Sequence, residues 1–132
     1  MKEIYKKLIN KAKKARERAY TPYSKFKVGA AVLSIDGKIF TGCNIESASF
    51  GLAICAERVA VFKAISEGSS KFEAIAVICD TDKVCSPCGA CRQVISEFGE
   101  GTLMIMANMN GDIEIKTIKE LLPEAFGKND LL

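Results

Sequence analysis

Residues 73–79 read Glu-Ala-Ile-Ala-Val-Ile-Cys, an almost unbroken apolar run. It is too short for an ordinary helix, and a run apolar on both faces fits a strand covered on both sides. Just before it, from about Cys55 to Ser66, Val59, Phe62 and Ile65 recur on one helical face, and Gly68 closes the segment. A helix leading into a buried strand predicts that this strand runs parallel to a neighbour. Downstream, Pro87 opens a further helix through Cys88, Cys91, Val94 and Ile95, ending near Gly99. Residues 102–107 form another core strand, and Asn110-Gly111 turns the chain back into a strand over 112–115.

Upstream, Ile4, Leu8, Ile9, Ala12, Ala15 and Ala19 predict an amphipathic helix over residues 2–19. Pro22 follows within a loop at 20–25. A strand is expected at 26–34, a turn at Asp36-Gly37, and a return strand at 38–43, with a polar loop over 44–54. Thr117 and Glu120 have capping-box spacing for a short helix ending before Pro123. The order α-β-β-α-β-α-β-β-α predicts an α/β fold, a three-layer α-β-α sandwich with a mixed central sheet of about five strands.

The chain has 132 residues, of which 48% are apolar, and reads as a single domain over 1–132. A domain of this size buries only about two-thirds of its unfolded surface, so oligomerisation or a bound metal would help it. The net charge of +3 is too small to argue for nucleic acid. The basic cluster of Lys6, Lys7, Lys11, Lys13, Lys14, Arg16 and Arg18 reads as the solvated face of the first helix. No stretch approaches the roughly 20 apolar residues that span a bilayer. Met1-Lys2-Glu3-Ile4 lacks an apolar signal core, so a cytoplasmic location with reduced thiols is expected. Six cysteines in that setting suggest a metal or chemistry before disulfides.

Cys85, Cys88 and Cys91 are spaced three apart. An iron–sulfur run would continue with a fourth cysteine and proline, whereas Arg92-Gln93-Val94-Ile95 follows. A closed zinc site would draw a fourth thiolate from Cys43, Cys55 or Cys79; a catalytic site would use three ligands and leave one position open. Helix placement favours Cys55, Cys88 and Cys91. Cys88 and Cys91 share a first helical turn, Cys55 begins the other central helix, and helix N-termini lower thiol pKa. Cys85 falls in the preceding loop, while Cys43 and Cys79 sit in strands where inert thiols are usual. Glu57, two residues after Cys55, reads either as a first-turn glutamate favouring the helix dipole or as a proton carrier beside a metal-activated water.

Cys55-Ala56-Glu57 with Pro87-Cys88-Gly89-Ala90-Cys91 matches the zinc-deaminase signature. The chain resembles the small homotetrameric cytidine deaminases of pyrimidine salvage over nearly its whole length. The likeness includes residues 23–31 (Tyr-Ser-Lys-Phe-Lys-Val-Gly-Ala-Ala), 42–46 (Gly-Cys-Asn-Ile-Glu), 55–58 (Cys-Ala-Glu-Arg), 86–93 (Ser-Pro-Cys-Gly-Ala-Cys-Arg-Gln) and Leu121-Leu122-Pro123. The resemblance implies one zinc ion per chain on Cys55, Cys88 and Cys91, with Glu57 as proton shuttle. The implied reaction is hydrolytic deamination of cytidine and deoxycytidine to uridine and deoxyuridine, releasing ammonia by attack of zinc-activated hydroxide. Substrate contacts are implied at Phe26, Asn44, Glu46 and Ala56, with Phe126 reaching a neighbouring subunit's site. Arg58 would withdraw charge from the thiolates and keep the metal acidic. Phe50 departs from the family's frequent tyrosine, which bears on fine substrate preference. Deamination of a modified nucleoside such as blasticidin S, deamination of polynucleotides, and a non-catalytic zinc module are the competing readings. A nucleoside substrate and no nucleic-acid or membrane partner are expected.

Overall fold

The computed structural model describes residues 1–132. Its elements are α1 (Glu3–Arg16), β1 (Val28–Ser34), β2 (Ile39–Cys43), α2 (Ala56–Ser66), β3 (Phe72–Cys79), α3 (Gly89–Glu97), β4 (Leu103–Asn108), β5 (Ile113–Thr117) and α4 (Ile118–Leu121). Single 3-10 turns stand at Phe50–Leu52 and Lys128–Asp130. The sheet order is β2-β1-β3-β4-β5. β3 pairs parallel with β4, and every other neighbour is antiparallel, so the sheet is mixed as expected.

Alternation along the strands sorts the core into two layers. Tyr5, Leu8 and Ala12 of α1 pack on Ala31, Leu33, Ala74, Ala76, Ile78, Ile105 and Ala107. On the opposite face, Ala56, Ala60, Val61 and Ala64 of α2, Ile95 of α3 and Ile118 of α4 cover Ala30, Val32, Ile75, Val77, Met104 and Met106. β3 contributes to both layers, which is why its run is continuously apolar. The three-layer sandwich is therefore present. No helix is long and apolar enough to cross a membrane.

Both hairpin loops are one residue longer than a two-residue turn. Gly37 N–H donates to the Ser34 carbonyl at 2.9 Å, Ser34 N–H donates to the Lys38 carbonyl at 2.9 Å, and Gly37 has φ of 90°. This is a type I turn followed by a left-handed glycine, and Asn108–Asp112 repeats it with Gly111 at φ 94°. The first helix stops at Arg16 rather than 19, and β1 starts at Val28 rather than 26. Lys25 sits at φ 61° just before, so the strand cannot run back through it.

Two glycines let the helices approach the sheet. A Cβ on Gly29 would stand 2.0 Å from the Ala12 carbonyl oxygen and 2.7 Å from Arg16 N. A Cβ on Gly42 would stand 2.6 Å from both Ala56 O and Ala60 N, against the helix that carries the candidate site. These are backbone atoms and cannot swing aside. Gly29→Ala is expected to destabilise the protein by about 3 kcal/mol or more through overpacking. Urea melts would check it, and a loss under about 1 kcal/mol would contradict the close approach.

Candidate metal centre and substrate cavity

Cys55 is the N-cap residue of α2 and Cys88 the N-cap residue of α3, both with extended backbone. Pro87 thus lies outside α3 instead of opening it, and Cys91 is the third residue inside. The N-cap and third positions are still i and i+3, so the pair faces one point. The Sγ atoms of Cys55, Cys88 and Cys91 all lie within 4.8 Å of one another. Cys43, Cys79 and Cys85 are outside this cluster, and all six cysteines are free thiols.

The donor set fits zinc. Four ligands at about 2.3 Å in a tetrahedron put sulfurs about 3.8 Å apart. Cys55 Sγ and Cys88 Sγ stand 3.7 Å apart. With no fourth cysteine in the cluster, one coordination position is left for a non-protein ligand.

The electrostatics have one focus at Cys55. Hydrogen bonding from Cys91, then from Arg58 and Cys88, lowers the Cys55 thiol from 9.0 to about 5. The same contact, with burial, raises the Cys91 thiol. Without metal Cys55 is therefore a thiolate that accepts from its neighbours, and metal uptake must expel the proton that Cys91 retains. Arg58 Nη2 donates to Cys55 Sγ at 3.5 Å, and the buried Arg58 Nε has no partner. The guanidinium thus lies against thiolate sulfur, where it draws off charge.

Glu57 is the second residue of α2 and is only 4% exposed. Burial pushes its carboxyl from 4.5 up to about 7, helped by the neighbouring Cys55. A carboxylate poised there can both take and return a proton near neutral pH.

These groups open on a cavity of about 270 Å³. Its walls are Phe26, Val28, Asn44, Ile45, Glu46, Ala53, Ile54, Cys55, Ala56, Glu57, Cys85, Ser86 and Cys88. Apolar walls with a few convergent polar groups suit a small heterocyclic ligand. Wider clefts of about 650 and 640 Å³ are lined mainly by charged and polar side chains and contain no cysteine. Phe126 does not line the cavity; the residue is 60% exposed, and its carbonyl accepts from Gln93 Nε2 at 2.7 Å.

Asn44 and Glu46 face the cavity and also hold its wall. Asn44 Oδ1 accepts from Val28 N–H at 2.8 Å, and its Nδ2 donates to the Phe26 carbonyl at 2.8 Å. Glu46 Oε1 accepts from the Tyr23 and Ser24 N–H groups, each at 3.1 Å, while Oε2 accepts from the Ser24 hydroxyl. Ser24 Oγ in turn accepts from Phe26 N–H at 3.0 Å. A carboxylate has about four acceptor sites, so Glu46 keeps capacity for a ligand hydroxyl. The role of Ser24 is not legible in the sequence because its partner is 22 residues away. Ser24→Ala is expected to raise KM severalfold, with zinc content unchanged and kcat nearly so. Steady-state kinetics with metal analysis would check it; an unchanged KM would remove Ser24 from the substrate wall.

Residues 2–107 match the family described as the cytidine and deoxycytidylate deaminase zinc-binding region. The chain is 56% identical over 126 residues to a cytidine deaminase of Sporosarcina psychrophila, covering 95% of this chain and 93% of that one. It is 53% identical over 125 residues to a cytidine deaminase of Halalkalibacterium halodurans, covering 94% and 95%. The crystal structure of a cytidine deaminase from Burkholderia pseudomallei superposes with a TM-score of 0.90 at 50% identity, covering 96% of this chain and all of that one. A thiol trio fit for zinc, a buried glutamate beside it and a matching fold over nearly the full length agree, and the chain belongs to the zinc-binding cytidine and deoxycytidylate deaminase family.

Proposed function

We propose that residues 1–132 form one deaminase unit that hydrolyses cytidine and deoxycytidine to uridine and deoxyuridine with release of ammonia. The observation that carries this reading is the buried Glu57 beside three clustered cysteines in a cavity sized for one base. Cys55, Cys88 and Cys91 would hold one zinc ion. When bound, zinc supplies Lewis acidity that lowers the pKa of a water molecule from far above neutral towards about 7.

Glu57 accepts the proton of the attacking water and delivers it to the ring nitrogen of cytosine, which draws electron density from the amine-bearing carbon. Attack at that carbon gives a tetrahedral adduct of the base. Glu57 then takes the proton of the newly added hydroxyl and passes it to the amine; the C–N bond breaks, the C–O bond becomes the uracil carbonyl and ammonia leaves. Phe26 stacks on the base, and the spare acceptors of Asn44 and Glu46 bind the sugar hydroxyls. Ala56, buried between Cys55 and Glu57, lines the cavity and would contact the base. Arg58 offsets the third thiolate, since three thiolates on a dication leave a net charge of −1.

A cytoplasmic homotetramer completes the proposal. Phe50, Leu52 and Phe126 are 78%, 76% and 60% exposed, and subunit contacts would bury them. Light scattering should return four times the 14.3 kDa chain. The deciding assay measures ammonia release from cytidine, deoxycytidine and a short single-stranded oligonucleotide alongside zinc content. Turnover of both nucleosides and not of the oligonucleotide is expected. Zinc-loaded protein inert on both nucleosides would overturn the reading.

A further inference from the structure

The turn carrying Cys88 lacks the usual helix cap. Cys88 is the N-cap residue of α3, yet its side chain makes no capping hydrogen bond, and Cys88 itself is exposed. A ligand in that position needs something else to hold it.

Arg92 supplies the hold. It lies one turn into α3, where long side chains lean back towards the helix N-terminus. Arg92 Nε donates to the Pro87 carbonyl at 2.8 Å, and Nη2 donates to Ser86 Oγ at 2.7 Å. Its other edge, Nη1, donates to the Leu121 carbonyl at 2.8 Å. That carbonyl belongs to the last turn of α4, where no intrahelical donor is available. One planar fork therefore joins the two residues before Cys88 to the end of α4. Only a guanidinium presents donors in these three directions at once.

We infer that Arg92 is a positioning residue that holds the Ser86-Pro87-Cys88 turn in ligating geometry by bracing it against the C-terminus of α4. The inference rests on the reading that Cys88 holds zinc. In Arg92→Ala the turn keeps its proline but loses both of its bonds to the guanidinium and, with the bond to Leu121, its brace on α4. Cys88, the exposed member of the trio, is then the ligand freed to swing away.

The test uses zinc-loaded protein and follows transfer of zinc to a chromogenic chelator, with thermal melts to confirm folding. Outer-shell partners are worth about 10–100-fold in metal affinity. Arg92→Ala should therefore lose zinc about tenfold faster or more. Its cobalt-substituted form should show a shifted thiolate-to-cobalt absorption. Arg92→Lys, which keeps charge without the fork, should fall between. Gln93→Ala, which severs only the bond to Phe126, should release zinc at the wild-type rate. Wild-type zinc release and an unchanged cobalt spectrum in Arg92→Ala would overturn the inference and leave the deaminase reading standing. Equal acceleration in Gln93→Ala would also overturn it, because general loosening would then explain the effect. If Arg92→Ala does not fold, Arg92→Lys decides by the same two readings. Wild-type protein that binds no zinc would overturn both.

Discussion

Glu57→Gln is expected to abolish nearly all turnover while keeping zinc. Glutamine has the same shape and fills the same buried space, so α2 and the cysteine trio should stay in place. What it lacks is a group that can take and return a proton. A single general acid–base group is worth about 10²–10⁴ in rate. In the proposed mechanism one carboxylate serves water, ring nitrogen and leaving amine in turn, so the loss should sit at or above about 10⁴ in kcat. KM should change less than kcat, because glutamine keeps the place of Glu57 in the cavity wall and leaves Phe26, Asn44 and Glu46 untouched. Near-normal kcat in Glu57→Gln would remove Glu57 from the mechanism.

The same substitution carries a stability signature. In metal-free protein the folded Glu57 titrates at about 7 against 4.5 when unexposed to burial. Between those values the folded state binds more protons than the unfolded state. Stability is then fully present below about pH 4.5 and falls as pH rises, levelling off above about pH 7. The difference is on the order of 3 kcal/mol. Glu57→Gln removes this dependence and should be the more stable protein at pH 8. Urea melts at pH 5, 6 and 8 on metal-free samples would show it. A wild-type stability that rises across that window relative to the variant would contradict the cost of burying this carboxylate.

The second large effect is expected at the cysteines. Cys88→Ala and Cys91→Ala should each lose stoichiometric zinc and, with it, activity. Zinc on thiolate sites contributes about 10–16 kcal/mol of apparent binding free energy, and removing one of three protein ligands forfeits a large part of it. Metal that binds only the folded state also stabilises it, so both variants should melt lower than the loaded wild type and close to the chelator-treated wild type. Cys85→Ala is the matched control. Cys85 lines the cavity but stands outside the trio, and burial pushes its thiol up, away from ligation. It should keep full zinc. Stoichiometric zinc in Cys88→Ala, or its loss in Cys85→Ala, would reassign the ligands. Because binding displaces thiol protons, zinc uptake by the wild type should also weaken as pH falls.

Much of the layering was legible in the residues. The unbroken run through β3 required cover on both faces, and α1 carried a patterned face to supply one of them. The α2 face marked by Val59, Phe62 and Ile65 is not the one that packs: Phe62 is 46% exposed, and the small residues Ala56, Ala60 and Ala64 with Val61 let the helix lie close on the sheet. Thr117 and Glu120 announced α4; Glu120 N–H donates to Thr117 Oγ1 at 3.2 Å and Thr117 N–H donates to Glu120 Oε1 at 2.9 Å. The boundaries were less legible. Pro87 is a common first helical residue, but here the helix starts after Cys88. Asp36-Gly37 signalled a turn without showing that Ile35 joins the loop.

For the site, residue type and short spacing were enough to single out Cys55, Glu57, Cys88 and Cys91, because each pair lies within one helical turn. The contacts that span the chain were not readable. Glu46 to Ser24 crosses 22 residues, Arg92 to Leu121 crosses 29, and Cys55 to Cys88 crosses 33. The sequence alone determined the chemistry on offer, since thiols, a carboxylate and their local periodicity are properties of neighbouring residues. Only the tertiary structure decided which of them meet. The parallel pairing of β3 with β4 follows the sheet order, and α2 and α3 share one face of that sheet. That arrangement brings two helix N-termini to one point, where burial raises the Glu57 carboxyl to about 7.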